Sequence, residues 1–313
     1  MKRFRDYRGL AEADRGAAVA MGNFDGVHLG HQSVLALAHA AAAELGAPFG
    51  VVTFEPHPRS FFAPDAPPFR LMTGDARARR MEKLGVERLY ELPFGAPMAA
   101  LPPEAFVAAA LAAGLGVRHV VVGADFRFGK GRAGDAETLR TLGRTAGFGV
   151  TVAPLVSDGE GDFSSTAIRE ALAAGRPEVA ARILGHWHRI EGEVEHGDKR
   201  GRSLGFPTAN MSLAGLNPPR FGVYAILVDV LTGPHQGRYR GVASVGVRPT
   251  FGARAANLEV HLFDFDGDLY GAVLSVALVA FLRPELRFDG AEPLVAQMHR
   301  DAEEARAQLA GAA

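Results

Sequence analysis

Residues 17–46 read AAVAMGNFDGVHLGHQSVLALAHAAAAELG, and this stretch decides the architecture of the first half of the chain. Ala17–Met21 is a short apolar run of strand length, and Gly22–His31 is a polar turn rich in glycine. Gly30–Leu45 then carries Val34, Leu35, Ala38, Ala41, Ala42 and Leu45 at helical spacing, one apolar stripe, with Gly46 placed to stop the helix. The same unit recurs downstream. Apolar runs at Phe49–Phe54, Arg88–Leu92, His119–Val122 and Val150–Leu155 alternate with helix-length stretches at Asp75–Leu84, Pro103–Ala113 and Ala136–Thr145. Alternation of this kind implies an α/β, Rossmann-like domain: a parallel sheet with helices on both faces. A last helical stretch, Ser165–Leu184, is broken at Gly175-Arg176-Pro177 and ends at Gly185.

Beyond that point the pattern changes. Arg189–His196, Gly222–Val230, Arg238–Val247, Leu258–Phe265 and Ala272–Leu282 read as longer strands, separated by turns such as Thr232-Gly233-Pro234 and Asp266-Gly267. Asp-Gly between strands signals a hairpin, and consecutive hairpins predict an antiparallel barrel or sandwich. A helix over Pro293–Leu309 closes the chain. The expected division is therefore 1–184 and 185–313.

Composition limits the function classes. The 313 residues carry 34 Lys+Arg against 35 Asp+Glu and no cysteine, which removes disulfides, thiolate metal sites and a cysteine nucleophile. Balanced charge gives no footprint for nucleic acid or a membrane surface. The longest apolar run, Ala272–Leu282, falls short of a membrane span, and the N-terminus lacks the apolar core of a secretory signal. The expectation is a soluble, cytoplasmic protein, monomeric or weakly self-associating.

In an open parallel sheet, ligands bind beyond the carboxyl ends of the strands, and the unusual residues cluster there. The segments are Gly22–His31, Glu55-Pro56-His57-Pro58-Arg59, Gly123–Gly129 and Ser164–Arg169. His28 and His31 lie three apart where a helix begins, so both imidazoles can face one side above its unpaired N–H groups. That arrangement can stabilise charge on an attacked nucleotide α-phosphate, or it can be two capping histidines. Neither a dinucleotide fingerprint nor a Walker A loop is present. In the second half, Gly201–Asn210 reads GRSLGFPTAN; Thr208 and Asn210 offer hard oxygen donors suited to Mg²⁺, or form a turn with a side-chain cap. In Asn257–Asp264, Glu259 and His261 share one face while Leu258, Val260 and Leu262 share the other. Glu259 either faces water or acts as a base on a substrate hydroxyl.

Gly22–His31 resembles the H-x-G-H signature of the nucleotidyltransferase superfamily, and Ser164–Arg169 resembles its S-S-T-x-x-R motif. Together with TFEPHPRSFF, VVGADFRFG, GRSLGFPTANM, FGVYAILVDV, ASVGVRPTFG, LEVHLFDFDGDLYG and FLRPELRF, they resemble the bacterial bifunctional riboflavin kinase/FMN adenylyltransferases, in order, from about Gly22 to Phe288. The resemblance implies a nucleotidyltransferase domain that joins FMN to AMP, making FAD, and a barrel that phosphorylates riboflavin. ATP would be co-substrate in both steps, with Mg²⁺ required. It implies His28, His31 and Arg169 as catalytic for adenylyl transfer, with Gly22, Phe24, Asp25, Gly26, Asp125, Ser164, Ser165 and Thr166 at the nucleotide. It implies Glu259 as the kinase base, Gly201, Gly205, Pro207, Thr208 and Asn210 at ATP, and Thr208 and Asn210 at the metal. Flavin contacts are expected from Phe54, Pro56, His57, Phe62, Phe126, Arg127, Phe128 and Arg248, the aromatic rings either stacking on the ligand or belonging to the core, which is the preferred reading for Phe54. The chain departs from the family pattern at Phe163, Asp125 and Asn217–Phe221. Two rival readings are a single-activity nucleotidyltransferase with a passive barrel and a nucleic-acid-binding barrel using Lys199-Arg200-Gly201-Arg202.

Overall fold

The computed structural model describes residues 1–159, 161–196, 205–250 and 253–311, with the side chains of 248–250 and 253–255 left out. Packing divides the chain into two compact units, Met1–Ala66 with Gly74–Phe163, and Pro67–Thr73 with Ser164–Ala313.

The first unit is built on six strands: β1 (Lys2–Phe4), β2 (Ala18–Met21), β3 (Phe49–Glu55), β4 (Arg88–Pro93), β5 (His119–Gly123) and β6 (Gly149–Ala153). They pair in the order β1-β4-β3-β2-β5-β6, every pair parallel. Parallel strands covered on both faces should be largely apolar, and they are, apart from the buried Thr53 and Glu91. Val19, Met21, Val52, Phe54, Tyr90, Leu92, Val120 and Val122 join one core cluster with Phe106, Val107, Leu111 and Leu139. The alternate residues Ala18, Ala20, Val51, Leu89 and Val121 are equally buried on the other face. Helix α1 (Leu29–Leu45) packs on β2, β3 and β5. Its buried stripe is Val34, Leu35, Ala38 and Ala42, and Gly46 ends it at φ 55°. Leu45, expected in the stripe, is 37% exposed because it lies in the last turn, beyond the sheet. The three-residue β1 is too short to show a period and escaped the sequence reading.

Helices α2 (Gly74–Lys83) and α3 (Ala136–Ala146), with the helical run Pro103–Phe106 that continues as a π-helix over Val107–Leu115, complete the larger elements of this unit. Because β2 pairs with both β3 and β5, the strand order reverses at β2. Open sheets bind ligands at such a reversal, and the Gly22–His31 and Gly123–Gly129 segments begin there, at the carboxyl ends of β2 and β5.

The second unit starts earlier than the change of pattern implies. Helices α4 (Ser165–Ala173) and α5 (Pro177–Leu184) pack with the barrel; Arg220 donates its backbone N–H to Leu172 O at 2.9 Å. The barrel strands are β7 (Arg189–Glu193), β8 (Ala209–Ser212), β9 (Gly222–Val230), β10 (Gly237–Thr250), β11 (Ala253–Leu262) and β12 (Val273–Arg283), antiparallel in the order β7-β12-β9-β10-β11-β8. A bridge from Glu195 N–H to Asn210 O, 2.8 Å, joins the two ends of this order into a nearly closed barrel. Its interior holds Tyr224, Ile226, Val245, Leu258, Val260, Val276 and Leu278. Helix α6 (Ala291–Leu309) covers a second cluster on the outside, burying Ala305 and Leu309 against Ala225, Phe263 and Val279.

One hairpin expectation is corrected. Thr232-Gly233-Pro234 does join paired strands, β9 and β10, but Asp266-Gly267 does not, since β11 and β12 pair with different neighbours. A two-residue I′ turn needs positive φ at both central residues, and neither Asp266 nor Gly267 has one. Among the described residues no helix is long and apolar enough to cross a membrane.

Candidate active sites

In the first unit the chain leaves β2 through a tightly wound loop. Phe24 and Val27 stand at φ 53° and 49°, Gly26 at 88°. For residues with a Cβ this is uncommon backbone, at a cost of about 1–3 kcal/mol each, kept only where surroundings over-determine it. Phe24, Asp25, Val27 and His28 are all buried, at 1%, 4%, 0% and 7% exposure. The winding delivers His28 to the N-cap of α1, where its Nδ1 accepts the backbone N–H of His31 at 3.3 Å. An Nδ1 that accepts leaves the proton on Nε2, so His28 presents an N–H donor. The His31 ring stacks on His28 at 3.6 Å between centroids, with Phe24 edge-on at 5.2 Å. Burial, reinforced by His28, holds His31 well below the ordinary histidine range, so it is neutral at pH 7. Its buried Nδ1 has no partner among the described residues. A buried polar atom in that state at the opening of a helix can still hydrogen-bond to a bound group.

Gly30 lies at a tight approach. A Cβ there would lie 3.1 Å from the His28 ring and 3.3 Å from the carbonyl oxygen of Phe163, the residue preceding Ser164.

Around this loop stand the ends of β3 and β5. After β3, His57 caps a short helix, Pro58–Phe62, by accepting Arg59 N–H at 3.1 Å. After β5, Asp125 and Arg127 are exposed, and Arg127 lies 3.7 Å from Asp135. The aromatic candidates form a run of ring contacts. Phe61 and Phe62 reach Phe94 at 5.7 and 5.8 Å, Phe94 reaches Phe54 at 5.8 Å, and Phe54 reaches Phe106 at 6.2 Å. Phe106 reaches Phe128 at 5.8 Å, and Phe126 stacks on Phe128 at 5.7 Å. Phe54 and Phe128 are core members, while Phe62 is 67% exposed. The linking rings Phe94 and Phe106 were missed in the sequence.

Also missed was a buried charged cluster behind the loop. Arg77 of α2 is 1% exposed and donates to Asn23 O (3.2 Å), Glu55 Oε2 (3.0 Å) and Glu91 Oε1 (3.3 Å). Its signal was available: Thr53, Glu55 and Glu91 are polar residues in strands of a doubly covered sheet, and such groups need partners.

Ser164–Arg169 belongs to the second unit. Ser164 caps α4 by accepting Ala167 N–H at 3.1 Å. Arg169 Nε donates to Phe69 O at 2.6 Å, with its guanidinium 5.5 Å from the Phe69 ring.

In the barrel, strand register assembles the second constellation. Asn210 on β8 lies directly opposite Glu259 on β11, and Glu259 lies opposite Ser244 on β10. The expected alternation holds: Leu258 and Val260 are buried inside, and Glu259 is exposed on the outer wall. Its same-face neighbours grip the Pro207–Asn210 segment. Asn257 Nδ2 donates to Asn210 Oδ1 at 3.2 Å, and His261 Nδ1 pairs with Pro207 O at 2.9 Å. A cavity of about 500 Å³, lined by Ser244, Arg283, Glu285, Phe288 and Leu294 among others, adjoins this row at Ser244. That volume suits a small organic molecule. Gly201 lies outside the described residues, and Arg248 is described only by its backbone.

Residues 10–167 match the FAD synthetase family and residues 184–309 match the riboflavin kinase family. The bifunctional riboflavin kinase/FMN adenylyltransferase of Pseudomonas fluorescens is 43% identical over 100% of this chain and 99% of its own length. That of Escherichia coli (strain K12) is 40% identical over 96% of each chain. A crystal structure from Streptococcus pneumoniae, titled a macrolide-efflux protein, superposes with a TM-score of 0.84 at 32% identity, covering 97% of this chain and 98% of its own. The chain belongs to the bifunctional riboflavin kinase/FMN adenylyltransferase family. As a family member it phosphorylates riboflavin to FMN and adenylylates FMN to FAD, with ATP as co-substrate, the two family regions standing in the order adenylyltransferase, then kinase.

Proposed function

We propose that this riboflavin kinase/FMN adenylyltransferase runs its two reactions at separate constellations. Residues 1–184 carry adenylyl transfer and 185–313 carry phosphorylation. One observation supports the division above others: His28 and His31 are organised wholly within the first unit, and Asn210, Glu259 and Ser244 wholly within the second.

In adenylyl transfer, an oxygen of the FMN phosphate attacks the ATP α-phosphorus and pyrophosphate departs. The Nε2–H of His28, the neutral imidazole of His31 and the opening N–H groups of α1 stabilise the charge that develops. Gly22, Phe24, Asp25, Gly26 and Asp125 line the nucleotide, and Ser164, Ser165, Thr166 and Arg169 take the β,γ-phosphates, where a guanidinium fork binds bidentately. The flavin lies along Phe54, Pro56, His57, Phe62, Phe126, Arg127 and Phe128.

In phosphorylation, Glu259 takes the proton of the riboflavin hydroxyl as its oxygen attacks the γ-phosphorus, and ADP departs. The cavity beside Ser244 receives riboflavin, with Arg248 a further flavin contact, while Gly201, Gly205 and Pro207 shape the ATP loop. The donor set fits Mg²⁺: Thr208 and Asn210 are two apart on extended chain and offer neutral oxygens, and among the described residues no group of three or more His, Asp or Glu competes to hold a metal. When bound, Mg²⁺ would neutralise phosphate charge. We place the enzyme in the cytoplasm as a monomer or weak homo-oligomer.

The test is incubation with riboflavin, ATP and Mg²⁺, with FMN and FAD followed by chromatography. His28→Ala abolishes FAD formation and spares FMN formation, and Glu259→Gln abolishes FMN formation while supplied FMN is still converted to FAD. Loss of both reactions in either folded variant overturns the proposal.

A further inference from the structure

We infer that Arg77 is a positioning residue for adenylyl transfer, its buried guanidinium fixing the Asn23 carbonyl and thereby the wound loop that presents His28 and His31. The inference rests on the assignment of those histidines above.

The loop has a reason to relax, since Phe24 and Val27 both hold left-handed backbone. What restrains its entry is the Asn23 carbonyl, which accepts from two donors, Arg77 Nη1 at 3.2 Å and Thr53 Oγ1 at 3.3 Å. The guanidinium is itself located from behind. Its Nη2 donates to Glu55 at the end of β3 and to Glu91 on β4, at 3.0 and 3.3 Å. The other Glu91 oxygen accepts from Arg3 Nη2 at 2.9 Å and Nε at 3.2 Å, and Arg3 Nη1 reaches Asp75 at 2.8 Å. Two carboxylates on adjacent strands therefore orient one planar fork so that its remaining arm meets Asn23.

Glu55 immediately precedes Pro56-His57, so the same side chain ties the histidine loop to the segment assigned to flavin. A buried charge cluster is a poor device for stability alone, because apolar residues of similar volume do as well. A guanidinium is suited to the other task, reaching acceptors on three segments in fixed directions, which an ammonium cannot do.

The experiment uses the full chain and measures both reactions in Arg77→Lys and Thr53→Val, with His28→Ala alongside. A misplacement near 1 Å at a reacting centre costs on the order of 100-fold in rate. For FAD formation, Arg77→Lys should lower kcat roughly 30-fold with KM for ATP and FMN changed less than about threefold, and Thr53→Val should lower kcat about threefold. FMN formation from riboflavin should be unchanged in both and reports that the second unit is folded, while the far-UV circular dichroism of the full chain, compared with wild type, reports the first. Wild-type FAD formation in Arg77→Lys, or a loss confined to KM, would make the residue structural only. Should Arg77→Lys fail to fold, Thr53→Val decides, because it removes a donor to the same carbonyl without touching a charge; an unchanged kcat there overturns the inference. If His28→Ala also left FAD formation intact, the histidine assignment would fall first. If His28→Ala abolishes it and the other two variants do not, only the role of Arg77 is lost.

Discussion

The two constellations are held in place by opposite means. In the parallel-sheet unit, the histidines hang on a loop with left-handed Phe24 and Val27, kept wound by a buried Arg77, and Gly30 leaves little room for a side chain beside His28. In the barrel, Asn210, Glu259 and Ser244 sit on three neighbouring strands in ordinary register, where the ladder alone sets them side by side. Loop placement depends on many small restraints that each matter. Register placement is redundant, since moving one residue would require the whole strand to slip.

The largest expected effect compares the units under acid. His188, buried at the start of the barrel, is pushed down to about 4 by burial and by His186. A histidine lowered on folding contributes stability above its unfolded value near 6.5 and loses it as pH falls toward 4. For His188 the loss is on the order of 3 kcal/mol. The adjacent Trp187 is the only tryptophan, so its fluorescence follows the second unit during unfolding. His188→Leu should flatten that pH dependence, and an unaltered profile would refute it.

Next comes crowding at the histidines. Gly30→Ala puts a methyl group 3.1 Å from the His28 ring and 3.3 Å from Phe163 O. FAD formation should fall roughly 50-fold, with FMN formation untouched. Equal rates to wild type would show that the loop tolerates movement. The smallest effect is expected in the barrel. Asn257→Ala removes the 3.2 Å bond to Asn210 but leaves the register, so riboflavin phosphorylation should slow only about fivefold. A loss above about 100-fold would show that the side-chain bond, and not the ladder, positions Asn210.

Much of this contrast is visible in the amino-acid order. The stripe from Val34 to Ala42 and the stop at Gly46 declare α1, and Leu258, Val260 and Leu262 declare which face of β11 looks inward. Those are periodic signals. Asp266-Gly267 misleads because a hairpin dipeptide is read without its φ angles, and a loop between non-neighbouring strands uses the same residues. β8 was hidden because it is only four residues long and begins within the PTAN motif. Arg77 stands in a helix of sequence GDARARRMEK, where nothing distinguishes its fully buried guanidinium from those of Arg79 and Arg80. The strands do show that Thr53, Glu55 and Glu91 need partners, but local patterning does not say which of the arginines meets them.

Residues 67–73 have a consequence for how the polypeptide comes into being. This short piece precedes most of the sheet unit yet packs with the barrel, where Asn217 N–H donates to Arg70 O at 2.8 Å and Arg169 grips Phe69 O. On the ribosome it emerges long before the Asn217 and Arg169 donors to its carbonyls exist. The barrel cannot therefore be excised at one boundary and reproduced whole, because part of it is written near the front of the gene. A fragment beginning at residue 164 or 185 lacks that strap and should fold less completely than the same barrel supplied with it.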